Sequence, residues 1–541
     1  MRAEDQARIK DELESRVAQA YTRRTEQGGP RLSEVLEDSL YHERRRLKED
    51  RGSPKREADN VFWDQVQAEL RRASETTERT LLRRVARHYT EEIAGNFNPR
   101  VYQSVTRALP PALGLLLNAV SPLKLVKKLP ELPSIDEQVV IQGEVEHLHR
   151  LHDLGTVIMV PTHVSNLDSI IIGYALYRMG LPPFIYGAGL NLFSNPLISF
   201  FMHNLGAYTV DRKKQDPFYK DVLKEYATLT LESGYDNIFF PGGTRSRSGS
   251  IEMRLKLGLL GTGVSAYVHN LRRGAPQPKV YIVPATLSYQ LVLEAETLID
   301  DFLKEVGKSR YIIEDDEFSR PKQVFEFMSK LVSLDSKIHI TVSRGYDPFG
   351  NPVDDDGQSL DPCGRVVDTA RYTWRNKEPV LDADRDAEYT REVGEQISQS
   401  FLKDNVVECT HVVALAVFGL MRARNPRLDV LRLLRTGGSD EDLELSLVYR
   451  EVERLLTELR AKAQRSEIRL GPSLTGDATE VVTDALARYS SYHTRPAAQR
   501  RGDRLVPSDR NLILYYQNRL EGYGLQPFPA LTKDHRALSS R

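Results

Sequence analysis

The 541-residue chain predicts an α/β fold, a mostly parallel sheet with helices on both faces, flanked by N-terminal and C-terminal helical regions. Two observations carry this. Between residues 135 and 350, runs rich in β-branched residues, such as Thr156-Val-Ile-Met-Val-Pro161 and Val280-Tyr-Ile-Val-Pro-Ala-Thr-Leu287, alternate with segments of helical spacing. Strands that alternate with helices build sheets buried on both sides. Outside that stretch apolar residues recur at helical intervals, as in Ile9, Leu13, Val17 and Tyr21. The length exceeds what one core supports, and the expected division is 1–95 helical, 96–134 an apolar and basic connection, 135–350 catalytic, and 351–541 helical.

Composition narrows the class. Hydrophobic residues make up 40% and charged ones 28%, an ordinary globular balance. A formal net charge of −1 argues against a generic nucleic-acid binder, which is usually basic. Cys363 and Cys409 lie far apart, with no metal-ligand or redox spacing, which fits a reducing compartment. The charged start Met1-Arg-Ala-Glu-Asp-Gln6 lacks the apolar core of a signal peptide, so the cytoplasm is expected. Ala108–Leu123 is uncharged but broken by Pro110, Pro111, Gly114 and Pro122, and is too short to span a bilayer. Lys124, Lys127 and Lys128 follow it. One reading lays this segment in the headgroups of an anionic membrane; the other makes it a core helix with a basic end.

In order, Arg51-Gly-Ser-Pro-Lys-Arg56 is a linker between N-terminal helices, and a second helical stretch passes through Phe62, Val66 and Leu70. Val139–Gln142 is a strand, and the next helix carries His147, His149 and His152 at spacings that put them on different sides; surface histidines are expected. Thr156–Pro161 is a buried strand, then a helix with Ile171, Ala175 and Leu176 stops at Gly180. A strand from Phe184, a compact apolar segment Pro196–Leu205, a strand within Gly206–Arg212, a helix from Pro217 to Ser233 and a strand Asn237–Phe240 follow. A helix with Leu255, Leu259 and Leu260, the strand Val280–Leu287 and the strand Ile338–Ser343 complete the sheet. Asp354-Asp-Asp-Gly357 has adjacent rather than alternating carboxylates and reads as an acidic turn, not a calcium loop. Val412–Met421 is apolar all round and reads as a buried helix; Ser439 with Asp442 opens a long amphipathic helix through Leu443, Leu447, Leu455 and Leu459; Leu512–Leu520 is a last helix with an aromatic face.

Ligands of open α/β sheets bind beyond the carboxyl ends of the strands, and three such ends carry reactive residues. His163 and Asp168 follow one, Arg212 another, and the loop Pro241-Gly-Gly-Thr-Arg-Ser-Arg-Ser-Gly249 a third. An aspartate at the first helical turn can bend back to the imidazole and hold one tautomer, which leaves the other nitrogen to take a proton; the alternative is a strand-end histidine and a helix-capping aspartate without chemistry. In the loop, Gly243, Thr244 and Ser246 offer backbone and hydroxyl donors beside Arg245 and Arg247, with Lys256 at the next helix, a composition suited to a phosphate dianion. A nucleotide P-loop is excluded because no Gly-Lys-Ser/Thr follows the glycines; a flexible basic surface loop stays open. A general base beside an anion pocket suggests deprotonation of a hydroxyl on a phosphorylated small molecule.

Four segments resemble, in order, the motifs of the glycerolipid (His-x4-Asp) acyltransferase family: His163-Val-Ser-Asn-Leu-Asp168, Gly206-Ala-Tyr-Thr-Val-Asp-Arg212, Phe240-Pro-Gly-Gly-Thr-Arg-Ser-Arg-Ser-Gly249 and Ile282-Val-Pro-Ala285. Ala188-Gly-Leu-Asn-Leu192, Arg245-Ser-Arg-Ser-Gly249 and Lys256-Leu-Gly-Leu-Leu260 look most like the glycerol-3-phosphate and dihydroxyacetone-phosphate branch. The resemblance implies that His163 takes the proton of an acceptor hydroxyl attacking an acyl thioester, that Asp168 orients His163, and that Arg212, Arg245 and Lys256 hold the phosphate. Val283 and Pro284 would shape the acyl side. It further implies transfer from acyl-CoA or acyl-ACP to the sn-1 hydroxyl of glycerol 3-phosphate, giving lysophosphatidate for phospholipid biosynthesis, peripherally at the cytoplasmic face of the membrane, with neither metal nor cofactor. Dihydroxyacetone phosphate or lysophosphatidate as acceptor, and an inactive lipid- or phosphate-binding relative, are the alternatives. One position departs: the family's third motif usually carries a glutamate where Gly242 stands.

Overall fold

The computed structural model describes residues 1–49, 56–98, 100–101, 135–189, 206–306, 336–438, 442–490 and 493–525. The Ala108–Lys128 segment, the Pro196–Leu205 segment, Leu190–Leu192, Ser439 and all but the end of the Arg51–Arg56 linker lie outside them.

Four helices come first: α1 (Ala3–Glu26), α2 (Leu32–Glu49), α3 (Arg56–Leu70) and α4 (Glu75–Ile93). Their apolar stripes meet around the buried rings of Trp63 and Tyr89. This core does not close on itself. It continues into Ile185, Tyr208 and Phe218 of the sheet region, so the helices are packed onto one end of the sheet.

Among the described residues the sheet has seven strands in the order β1-β7-β6-β2-β5-β3-β4. They are β1 (Val139–Gly143), β2 (Thr156–Pro161), β3 (Ile185–Gly189), β4 (Ala207–Val210), β5 (Asn237–Ile238), β6 (Val280–Tyr289) and β7 (Ile338–Val342). All neighbours run parallel except β6 and β7. β2 and β6 are buried along their whole length, which fits a central strand covered on both faces. Helices α5 (Val145–Leu154), α6 (Asp168–Arg178), α7 (Pro217–Glu232), α8 (Leu257–Leu260), α9 (Thr262–Arg272) and α10 (Ala295–Val306) connect the strands.

Two strand lengths differ from the sequence reading, each for its own reason. β5 ends at Ile238, with Phe239 N still donating to Met159 O (3.4 Å) and Phe240 stacking on His163, and β6 runs on to Tyr289 because β7 pairs with its far half. The surface assignment of the α5 histidines needs correction at His147: it is buried, and its Nδ1 lies 2.8 Å from Asp355.

The C-terminal region adds α11 (Ala383–Asp404), α12 (Cys409–Arg424), α13 (Val430–Thr436), α14 (Leu445–Gln464), α15 (Ala478–Tyr489) and α16 (Arg510–Asn518). Helix α12 is buried from Cys409 to Met421, as its uniform apolarity requires. Helix α14 starts at Leu445 rather than near Asp442, because Leu443 and Glu444 pair with Leu505 and Arg504 in a small sheet. Asp354 closes its turn by accepting from Asp356 N and Gln358 N. The core of α12, α14, α15 and α16 is continuous with that of β2 and β6. Among the described residues no helix is long and apolar enough to cross a membrane.

The seam between the N-terminal helices and the sheet is tight at Gly95, where a Cβ would sit 2.0 Å from the carbonyl oxygen of Ala207 in β4. Gly95→Ala is expected to destabilise the protein by about 1–3 kcal/mol through overpacking, read as a lowered urea midpoint with an unchanged slope.

Candidate active site

β2 ends at Pro161 and α6 begins at Asp168, and the chain between them wraps the Asp168 carboxylate. Oδ2 accepts from Val164 N (2.7 Å), Ser165 N (2.9 Å) and His163 Nδ1 (2.9 Å), while Oδ1 accepts from the Tyr289 hydroxyl at the end of β6 (2.6 Å). Asp168 is fully buried. A carboxylate only accepts, so the shared proton sits on Nδ1. Among the described residues Nε2 of His163 has no hydrogen-bond partner, and its lone pair is the one available to take a proton. Phe240 stacks on the ring at 4.2 Å. Burial lowers the pKa of His163; the hydrogen bond and charge of Asp168 oppose that, and the charges of Arg245 and Arg212 add to it.

Those two cations arrive from different strands. Arg212 follows β4, is exposed, and forms no ion pair among the described residues. Its loop is held from both sides. Asp211 N donates to the Tyr219 hydroxyl (3.0 Å), and Lys214 is buried between Glu43 of α2 (3.1 Å) and Glu92 of α4 (2.5 Å), over the rings of Tyr89 and Tyr219. Arg245 lies in the loop after β5, with Nη1 3.4 Å from Oε1 of the buried Glu294. Glu294 in turn accepts from Ser165 Oγ (2.7 Å) and Asn166 N (3.0 Å), so the same carboxylate ties Arg245 to the histidine turn.

The rest of the loop is fixed by its backbone. Ser246 N donates to the His163 carbonyl (2.8 Å) and Ser246 Oγ to Ser250 O (2.6 Å). Gly243 has φ +78°, a conformation that favours glycine. Asn518 of α16 donates to Ser248 O (2.9 Å). Thr244 is exposed at the tip. Arg247 turns to Glu305 of α10 (2.8 Å), away from the two arginines whose fields reach His163. Lys256 is exposed, and its stem passes where a Cβ on Gly243 would stand. Val283 and Pro284 are buried within β6, in register with Met159 and Val160.

Four side chains around the histidine went unnamed in the sequence reading. Tyr289 and Glu294 lie at and just past the end of β6, where the strand-end rule points. Glu252 has no such signal: its Oε1 accepts the His163 backbone N–H at 3.0 Å. Neither has Arg519, a buried arginine from the C-terminal end of α16 that donates to Asn405 Oδ1 (2.7 Å) and Leu287 O (2.6 Å).

Two histidine–carboxylate clusters among the described residues have metal-like spacing, Asp59–His88–Glu92 and Glu225–Glu232–His269. Each already holds a cation of the chain: Lys214 sits 2.5 Å from Glu92, and Arg16 sits 2.6 Å from Glu232. Neither adjoins His163 in any contact described above.

Residues 142–288 match the family model described as Acyltransferase. Proteins named glycerol-3-phosphate acyltransferase are similar over about half of the chain. That of Aeromonas hydrophila subsp. hydrophila is 30% identical over 295 residues, 54% of this chain and 31% of the relative. That of Pseudomonas syringae pv. tomato is 25% identical over 285 residues, 52% and 30%; that of Pseudomonas fluorescens Pf-5 is 26% identical over 313 residues, 57% and 33%. The chain thus spans about a third of the length of these relatives. The region that matches the Acyltransferase model contains β2, the His163–Asp168 pair, Arg212 and the Gly242–Gly249 loop.

Proposed function

We propose that the protein transfers a fatty acyl group from a thioester, acyl-CoA or acyl-ACP, to the sn-1 hydroxyl of glycerol 3-phosphate, giving lysophosphatidate. The observation that carries this is the meeting of one unpartnered imidazole nitrogen, backed by a buried carboxylate, with Arg212 and Arg245 from two other strand ends. Nε2 of His163 takes the hydroxyl proton as the acceptor oxygen attacks the thioester carbonyl carbon. The C–O bond forms, the C–S bond breaks, and the imidazolium returns its proton to the leaving thiolate. Asp168 holds the imidazolium through Nδ1. Arg212 and Arg245 grip the phosphate, and Lys256, Thr244, Gly243 and Ser246 stand around the same loop. Holding hydroxyl and thioester together supplies several kcal/mol of barrier lowering, and the base a further factor of roughly 10²–10⁴. The names of the relatives support this acceptor over dihydroxyacetone phosphate. A peripheral position at the membrane suits a water-soluble acceptor and a lipid product.

Purified protein with palmitoyl-CoA is expected to acylate glycerol 3-phosphate in preference to dihydroxyacetone phosphate or lysophosphatidate; acylation of lysophosphatidate alone overturns the choice. Arg212→Ala is expected to raise KM for glycerol 3-phosphate about 10–100-fold, the loss of one charge-assisted contact to phosphate, with a much smaller effect on KM for palmitoyl-CoA.

The depressed pKa of His163 fixes the sign of the pH dependence. The active form is the neutral ring, and a lowered pKa keeps the ring neutral further into acid. The acidic limb of kcat/KM is therefore expected below the ordinary imidazole value of about 6.5. Asp168→Asn removes the contribution that raises this pKa, so the limb moves lower still while kcat drops about 10²–10⁴-fold. A limb above the ordinary value in the wild type contradicts the assignment of His163 as base.

A further inference from the structure

Glycine at 242 and glutamate at 252 occupy one site. A Cβ built on Gly242 would lie 2.5 Å from Oε1 and 2.6 Å from the carboxyl carbon of Glu252, so the Glu252 carboxyl fills the space that a side chain at 242 would take. The backbone at Gly242 is not in the left-handed region, and the three atoms nearest that Cβ all belong to the Glu252 carboxyl. The same carboxyl completes the histidine turn. Thr162 N still donates to Ala285 O (3.0 Å) in the β2–β6 ladder, but β5 has ended at Ile238. His163 N–H is therefore left without a strand partner, and Glu252 Oε1 accepts it at 3.0 Å. A buried backbone N–H left unpaired is costly, so this acceptor holds the histidine main chain in place. The other oxygen, Oε2, is shielded from solvent and has no hydrogen-bond partner. Burial pushes the Glu252 pKa up to about 8, with the His163 backbone N–H and Arg519 opposing and Asp168 reinforcing the shift.

We propose that Glu252 is a positioning residue for His163, reaching back into the space opened by glycine at 242 to fix the backbone of the general base. It acts through His163 and touches no reacting atom. This builds on the acyl-transfer reading of the site, and it predicts that the carboxyl can be supplied from either position so long as only one of them supplies it.

The test uses the full chain with E252A, E252Q, G242E and the double variant G242E/E252A, assayed with palmitoyl-CoA and glycerol 3-phosphate. E252A is expected to lower kcat about 10²-fold, the scale of a small misplacement of a catalytic group, with acceptor KM changed less than about threefold. E252Q keeps a neutral acceptor of the same shape and is expected to recover kcat to within about tenfold of wild type. G242E alone crowds the Glu252 carboxyl and falls with E252A. The double variant restores the carboxyl from the other side and is expected to exceed E252A in kcat by at least about tenfold. Labelling of His163 by diethyl pyrocarbonate across pH gives a readout that needs no substrate. In E252A water replaces the carboxyl beside the turn, so the inflection moves up toward the ordinary imidazole range; in the double variant it returns. Wild-type kcat and labelling in E252A overturn the proposal, as does a double variant no better than E252A by both measures. A wild type that acylates none of the three acceptors removes the acyl-transfer reading, and the labelling series then decides the role of Glu252 separately.

Discussion

Four donors converge on the Asp168 carboxylate, and because that group can only accept, their geometry fixes where the protons are. Nδ1 of His163, the backbone N–H groups of Val164 and Ser165, and the Tyr289 hydroxyl all point inward to it. The backbone donors fold the turn between β2 and α6, the tyrosine ties that turn to the end of β6, and the imidazole is left with its Nε2 outward. A buried carboxylate with fewer donors carries a large desolvation cost. The acid, the turn and the ring orientation thus stand or fall together, and the remaining elements bring charge to a histidine already aimed.

The flanking helical regions take part in that task. Arg212 lies on an exposed loop, which would ordinarily wander, yet two residues later Lys214 is buried between Glu43 and Glu92 of the N-terminal helices. Removing both acids would leave an uncompensated buried charge, so the double pairing confines the loop that carries Arg212. On the other side α16 presses on the Gly242–Gly249 loop: Asn518 holds Ser248 O, and a Cβ on Gly249 would lie 2.2 Å from Tyr515 O. The catalytic sheet supplies the reactive groups, and the two helical regions hold the loops that carry the cations.

Much of this was legible in the chain. Strand periodicity located β2, β6 and β7 within a residue or two, because fully buried strands are continuous apolar runs. The rule that strand ends converge brought His163, Arg212 and Arg245 to one place before any coordinates. Residues that act through tertiary contact alone were illegible. Glu252 follows the loop in a stretch with no periodicity, and Arg519 lies far along the chain at the end of a helix whose aromatic face reads only as packing. His147 failed for the converse reason: its helix position reads as surface, and the turn bearing Asp355, which covers it, is about two hundred residues away in sequence. β5 was read too long because composition continues the strand through Phe240, whereas the ring of Phe240 is drawn off to stack on His163.

The electrostatic account of the site follows from how its carboxylates are engaged. Asp168, Glu294 and Glu252 all lie near His163, and three free anions there would repel a phosphate. Asp168 is surrounded by four donors. Glu294 is turned toward Ser165 and Asn166 and shares its charge with Arg245. Burial favours the neutral form of Glu252, raising its pKa to about 8. What remains uncompensated is Arg212, exposed and without an ion pair among the described residues, with Arg245 behind it. For the proposed phosphorylated acceptor these are the two charges that would face the dianion, and such interactions exceed their strength in water where solvent is excluded. In the proposed reaction a bound dianion would offset the two arginine charges that depress the His163 pKa, which would strengthen the ring as a base.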